Sequence, residues 1–509
     1  MQTSRLPALL IALLAGAAAA PAAWAAEAPL SQHDLMLLNR VTWGATPADA
    51  AEMQKLGAKR WLERQLHPSS QDRLPDAVQA QIDALPVVRQ SLPELVSEGI
   101  RLRAAFQQTA DPEPKQAAAK TYKLFMADRR DDAAVRSLLR DIYSPDQLQE
   151  QMTWFWFNHF NVFSRARDIR PMLADYEEAA IRPHALGKFR DLLEATLRHP
   201  AMLRFLDNDQ NAAGKVNENY AREIMELHTM GVGSGYSQKD VQELARILTG
   251  AGVQTKPQDP PAKPELQALY IRQGDFVFDP RRHDFGDKVF LGHKIKGSGY
   301  AEIQQALDIL SRQPATARHV SLQLASFFVG DNSAPALVER MAETFRRTDG
   351  DSTEVLRTLF ASREFDASLG TQFKDPAHYV ISAIRIAYGD RIITNAVRVD
   401  RWLGQLSEEL YGHATPDGYP LNAAAWSGPG QMAERFDVAR DIAGGAPTLF
   451  GQTGGDPGRP IPHPEIQARL QKASLDGDIG GSTRAVLGQA SSPIEWNSLF
   501  LSSPEFMRR

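Results

Sequence analysis

The 509-residue chain contains no cysteine at all. That excludes a thiolate nucleophile, a disulfide framework and any Cys-ligated metal centre, so stability has to come from core burial. Excess charge is lacking too: 57 Lys and Arg stand against 62 Asp and Glu, a formal charge of −5. With neither a polybasic run nor an arginine-rich face, nucleic acid is not expected as a partner. There is no Walker-type loop, no G-x-G-x-x-G and no G-x-S-x-G element, which leaves ATP use, dinucleotide binding and an α/β-hydrolase elbow unsupported. Beyond the first two dozen residues no uninterrupted apolar run reaches the length of a membrane span.

What is present begins with "MQTSRLPALLIALLAGAAAAPAAWAAEAPL". A polar start with Arg5, an apolar stretch from Leu6 to Ala20 and Ala23-Trp24-Ala25 as an A-x-A site form the pattern of a secretory signal peptide over residues 1–25. The expectation is an exported protein, periplasmic or secreted, with no membrane span after cleavage. A mature chain of this size can bury a large core.

From Ser31 to about Thr249 the periodicity is helical. Gly44-Ala45-Thr46-Pro47 separates two helices, with Thr46 as N-cap and Pro47 in the first turn. "SPDQLQEQMTWFWFNHFNVF" predicts a helix capped by Ser144, with Pro145 first and Gln147 in the capping-box place. Residues 253–267 are proline-rich and polar, a linker. "DFVFDPRRHDFGDKVFLG" alternates around a turn and predicts a strand hairpin with His283 and Asp284 at its tip. Residues 451–485, rich in Gly, Pro and Asp, read as a long surface segment. The fold class is mainly α: a multi-helix globular protein with a small β-hairpin element. Its parts are a helical region over 26–252 with the candidate site, a linker and hairpin over 253–300, and a second helical region over 301–509.

The chemistry-bearing residues concentrate before residue 230. "NENYAREIMELHTMGVG" (217–233) predicts a helix from Glu218 to Met230, capped by Asn217 and stopped by Gly231. At 100° per residue Glu223 falls at the edge of the apolar arc and Glu226 lies 60° further round, within reach of Arg222 at i, i+4. His228 falls inside the arc, away from both carboxylates, so no single-helix metal motif of the two-histidine kind is present. Structural ion pairs produce the same pattern of charges as a catalytic pair. "TWFWFNHFNVF" (153–163) is apolar all round, so Asn158, His159 and Asn161 are either satisfied core groups or the floor of an aromatic-walled pocket. Arg182 and His184 flank Pro183 at an expected helix start, where free N–H groups favour anions. Asp207 and Asn208 end another helix, as turn formers or as site residues.

Several of these stretches together resemble a known family. "LLNRVTWGATP", "FWFNHF", "IRPHALGKFRDLLEATLRHPAMLRFLDN", "NENYAREIMELHTMGVGSGYS", "HDFGDKVFLG", "PATARHVSLQLASFFVGD" and the closing "SSPEF" look like domain-of-unknown-function family 1800, large exported bacterial proteins. The resemblance runs from about residue 33 onward. It brings no established catalytic residue or substrate, and implies at most a co-exported partner encoded nearby. Where relatives more often carry Leu, this chain has Ile224 and Met230. Gln313 stands where His is usual before "PATAR", so a site depending on that histidine is in doubt here.

The functional expectation is a hydrolase acting on an extracellular or periplasmic substrate such as a polysaccharide. Its residues are Glu223 as general base or acid with Glu226 beside it, His159 or His184 as proton partner, Arg182 as anion clamp, and Asn158, Asn219, Asp207 and Asn208 as substrate contacts. Two alternatives remain: a non-catalytic helical scaffold working with a co-exported partner, and a divalent-metal enzyme built on His159, His184, His228 and carboxylates.

Overall fold

The computed structural model describes residues 30–69, 73–331, 333–451, 462–477 and 479–509. The signal peptide expected over 1–25 lies outside them. Among the described residues 61% are helical, in 25 α-helices, with two small antiparallel sheets. No helix among them is long and apolar enough to cross a membrane.

The centre of the molecule is the helix Pro376–Tyr388, whose thirteen residues are all buried. Its sequence, "PAHYVISAIRIAY", is apolar around most of its circumference, with His378, Ser382 and Arg385 on one strip at i, i+4, i+7 spacing, each side chain bonded within the core. Asp375 caps it by accepting from the His378 N–H. Around it pack the inner half of the 32-residue helix Pro112–Tyr143 and the helices Val397–Gln405 and Pro429–Ala443. Arg385 of the central helix donates to the carbonyls of Gly44 and Ile142 and to the Asp49 carboxylate, tying the first helices of the chain to this core. The outer half of Pro112–Tyr143 leaves the core and pairs with Leu92–Gln108 as an exposed helical hairpin.

The expected start at Thr46-Pro47 is present, with a full capping box between Thr46 and Asp49. At the next helix the expectation needs correction. It runs from Gln147 to His159, two residues later than Pro145. Gln147 builds no capping box: its side chain accepts from the Trp43 N–H and donates to the carbonyls of Asp141 and Ser144. Of the expected surface segment 451–485, residues 452–461 and 478 lie outside the described residues, and the rest holds the helix Ile466–Lys472 and the start of Gly481–Leu487.

The hairpin expected over 275–292 is also corrected. Strand β1 (Ala251–Val253) and β2 (Ile271–Gln273) both pair with β3 (Phe276–Phe278), whereas β4 (Lys288–Phe290) pairs with β5 (His293–Ile295) in a separate sheet. The alternation on either side of 279–287 is genuine, but each half finds a different partner. His283 is no exposed tip. It is 5% exposed, with Nε2 at 2.8 Å from the Glu302 carboxylate and Nδ1 at 2.7 Å from the Thr249 carbonyl. Asp284 is held by Arg246 at 2.8 Å, which pulls its carboxyl down to about 2. These anchors draw the segment into the core, where it cannot turn back on β3.

Candidate functional site

The helix Gln147–His159 is buried over most of its length, and its C-terminal end opens onto a cleft of about 540 Å³. Two asparagines organise this end. Asn158 makes a two-way amide pair with Tyr419, accepting from its N–H at 2.6 Å and donating to its carbonyl at 2.9 Å. Asn161 donates to the carbonyls of His413 at 3.0 Å and Thr415 at 2.7 Å. Together they fasten the loop 411–422, which carries His413, Asp417 and Tyr419 into the cleft wall. Gly418 sits at φ +71°, and a Cβ there would collide with the Asn158 carbonyl at 2.1 Å, so only glycine allows the loop to dock this closely.

The second wall comes from "NENYAREIMELHTMGVG". Its helix spans Asn219–Glu226, with Tyr220, Ala221, Ile224 and Met225 buried. It ends four residues before the expected Met230, because the last turn widens. The N–H of His228 donates to the carbonyl of Glu223 at 3.1 Å and that of Met230 to Met225 at 3.0 Å, both five residues back. The carbonyls of Leu227 and His228 then point outward, and two histidines take them. His319 Nε2 lies 3.1 Å from the Leu227 oxygen, and His159 Nε2 lies 3.0 Å from the His228 oxygen. A carbonyl only accepts, so the proton sits on Nε2 and Nδ1 is left as the lone-pair nitrogen of each ring.

The electrostatics follow from this packing. Burial pulls His159 down to about 3, assisted by His319, and lowers His319. His228 is fully buried against Phe160, and burial drives it well below the ordinary histidine range. Neither of its ring nitrogens has a hydrogen-bond partner among the described residues. All three imidazoles are neutral near pH 7.

Glu223 is half-buried, and its carboxylate has no hydrogen bond or ion pair among the described residues. Burial raises its carboxyl, the neighbouring Glu226 raises it further, Arg222 opposes, and Asp417 from the docked loop adds to the rise. Glu226 is engaged differently, with Arg222 at 3.4 Å.

The other expected residues lie elsewhere. Arg182 clamps no anion in the cleft: its guanidinium forms a two-point pair with the buried Glu150 at 3.1 and 2.8 Å. The expected helix start at Pro183 is a three-residue 3₁₀ turn that follows a π-helical turn, Tyr176–Ile181. His184 lines a second cleft of about 660 Å³ with Asp175, Asp191, Glu194, His199 and Asp275. There His199 bonds Asp175 through Nε2 at 3.0 Å and accepts from the Ala201 N–H through Nδ1 at 3.1 Å. Glu194 accepts from Arg190 and from the Tyr300 hydroxyl, both at 2.9 Å. Asn208 is buried and donates to the carbonyls of Leu248 and Ala251, Asn219 donates to that of Leu206, and Asp207 sits in a left-handed turn beside Arg167. These three brace the loop that precedes the Glu223 helix.

With His184 in the second cleft, the trio His159, His184 and His228 is not assembled. Among the described residues no group of three or more His, Asp or Glu side chains stands in metal-holding geometry. The residues that complete the first cleft were not singled out in the sequence: His319, Asp331, His413 and Asp417. His319, Gln323 and Ser326 do carry a signal, since their i, i+4, i+7 spacing lays a polar strip along the helix Pro314–Phe328. Asp417 carries none, because "ATPDGYP" reads as a plain turn.

A family described as "Protein of unknown function (DUF1800)" matches residues 36–508, and the chain belongs to it. No curated protein and no solved structure matches the chain.

Proposed function

We propose that the protein is an exported hydrolase of glycosidic bonds, working in the periplasm or outside the cell, with the first cleft as its active site. The observation that carries this is Glu223: a half-buried carboxyl without a partner among the described residues, raised by burial and by two carboxylate neighbours, one of them the cleft residue Asp417. Two carboxylates whose surroundings separate their roles are what acid-catalysed glycoside cleavage needs. Glu223 donates its proton to the leaving oxygen as the bond from the anomeric carbon breaks. Water attacks that carbon and gives its proton to Asp417. The amides of Gln323 and Asn422 and the Nδ1 lone pairs of His159 and His319 supply acceptors and donors for sugar hydroxyls.

The test is reducing-end release from a panel of soluble polysaccharides, with Glu223→Gln compared against the parent. A fall of at least about 100-fold in turnover with an unchanged melting temperature supports the assignment, in keeping with the range for general acid catalysis. Undiminished release by the variant overturns it.

One observation favours a second function, a helical scaffold that binds a co-exported protein. His159 and His319 both spend a nitrogen on backbone carbonyls, which is structural work. On that view His159→Ala lowers the melting temperature, and no polysaccharide is cleaved by either protein.

A further inference from the structure

The turn between β2 and β3 brings a carboxylate into the wall of the second cleft. Gly274 turns the chain at φ +56°, and Asp275 follows it. Asp275 is 3% exposed, its carboxylate has no hydrogen bond or ion pair among the described residues, and its Oδ2 is shut off from solvent. Burial raises this carboxyl, while Arg204 and Arg272 lower it from beyond ion-pair distance, Arg272 being held by Asp259 at 2.8 Å. Buried polar groups are ordinarily bonded, so one left open in a cleft wall is fitted to a partner that enters the cleft.

The rest of the lining fixes the sign of that partner. Asp175, Asp191 and Glu194 line the same cleft, against the single guanidinium of Arg198. Arg198 is spent on Glu194 at 3.5 Å and on the Gln273 side chain, with its plane over the Phe276 ring. Glu194 takes Arg190 as well, His199 is spent on Asp175, and the Ser91 hydroxyl on Glu94. Burial lowers His184, which keeps its ring neutral near pH 7. Asp191 is exposed, with no side-chain partner among the described residues. Asp191 and Asp275 are thus the two lining carboxylates without a bonded partner. They stand well apart. Asp191 lies in the first turn of the helix Phe189–Arg198, and Asp275 faces its last turn, where Arg198 meets Gln273 and Phe276. The helix rises about 10 Å from Asp191 to Arg198. A single metal ion cannot touch both ends. Ala195 lies between them on the same helix, and Ala179, Ala180, Leu92 and Pro93 add apolar wall.

We propose that the second cleft is a binding site for a linear aliphatic polyammonium ion, with one ammonium group on Asp275, another on Asp191, and the methylenes between them along Ala195. The ammonium at Asp275 supplies the hydrogen bonds that the protein withholds from it, and the one at Asp191 sets the length of ligand accepted. This site is independent of the glycosidase assignment, which belongs to the first cleft.

The experiment is calorimetric titration of the full chain at pH 7 with 1,8-diaminooctane, octylamine, 1,2-diaminoethane and 1,8-octanediol. The long diamine should bind tightest, with octylamine and the short diamine at least about tenfold weaker, the scale of one charge-assisted hydrogen bond, and with no binding of the diol. Asp275→Asn and Asp191→Asn should each weaken the long diamine about tenfold or more and leave octylamine closer to the parent. Asp437→Asn, on the helix Pro429–Ala443 that lines no part of this cleft, removes the same charge and should change nothing. Asp191 is exposed, so its variant keeps the fold, and the unliganded Asp275→Asn protein should melt no lower than the parent because an unpartnered buried charge has been removed. Failure of the long diamine to bind overturns the proposal. So does equal binding of the diol, which marks apolar adsorption, or equal weakening by Asp437→Asn, which marks diffuse attraction to an acidic chain. Equal affinity for the two diamines overturns the two-ended site, and a lower melting temperature in Asp275→Asn would assign that carboxylate to the fold and overturn its role as a ligand group.

Discussion

Two glutamates of similar half-burial, Glu194 in the wall of the second cleft and Glu223 on the helix that leads to Leu227 in the wall of the first, have carboxyls displaced in opposite directions. Glu223 has no side-chain partner among the described residues and is raised by burial, with Glu226 and the first-cleft residue Asp417 nearby. Glu194, at the second, is raised by burial as well, but the bonds from Arg190 and Tyr300 outweigh this and leave it below the ordinary value. The histidines repeat the contrast. His199 of the second cleft has both nitrogens occupied, whereas Nδ1 of His159 and of His319 has no hydrogen bond among the described residues. Burial alone therefore does not set the direction of a carboxyl's shift; the compensating bonds do. The second cleft is held together by its polar residues, and the first holds polar residues in reserve.

The sharpest way to break this comparison is to exchange the same substitution between the clefts. Glu223→Gln should lower turnover by at least about 100-fold with little change in stability. Glu194→Gln should leave turnover within about twofold and lower stability by about 1 kcal/mol, measured by urea unfolding. Equal effects on turnover would erase the distinction.

Acid tests the neutral imidazoles next. The folded values of His159, His228 and His319 lie below the ordinary value of about 6.5, so on acidification the unfolded chain takes up protons first. The stability they contribute is complete above about pH 6.5. It is lost as the pH falls toward the folded values, at up to roughly 1.4 kcal/mol per pH unit for each group. Unfolding free energies measured between pH 7 and pH 4 should follow that slope, and a flat profile would show that the rings are charged in the folded protein.

A third comparison sets one buried histidine against another. His199→Ala removes a helix cap and an ion-pair partner and should cost about 1–2 kcal/mol. His228→Leu removes two unpartnered nitrogens and should raise stability by about 1 kcal/mol or more. A loss of stability in His228→Leu would mean that something the two nitrogens bind had been removed with them. The smallest effect concerns tuning. In the proposed role Glu223 acts in its protonated form, so the rate should fall as the pH rises through its raised value. Glu226→Gln removes one like charge and should move that limb to lower pH by about half a unit. A limb that stays in place would mean the carboxylates do not sense each other.

Much of the frame was legible because it is written locally. Thr46 and Pro47 start a helix where their chemistry says, and the all-apolar "TWFWFNHF" is buried as its wheel requires. Glu223 at the margin of its arc, with Glu226 paired to Arg222, follows from 100° spacing alone. What was not legible depends on chain-distant partners. Nothing near Arg182 announces that Glu150 will neutralise it, and that separated it from His159 and Glu223. Asp417 enters the site only because Asn158 and Asn161 dock its loop, a contact 261 residues away for Asn158. The false hairpin has the same origin: alternation shows that 276–278 and 288–290 are strands, and says nothing of which strand each will pair with.

The wholly buried helix Pro376–Tyr388 has a kinetic consequence. A segment that must be covered on every side has no stable half-built state, since each apolar face left uncovered stays in water. Its guanidinium at Arg385 reaches the Gly44 carbonyl across 341 residues of chain, and Arg40 reaches Arg509 across 469. Such closures carry their entropy cost before their contacts form, which slows folding and lengthens the life of sticky intermediates. The protein should therefore refold in seconds or longer, and should do so cleanly only at high dilution.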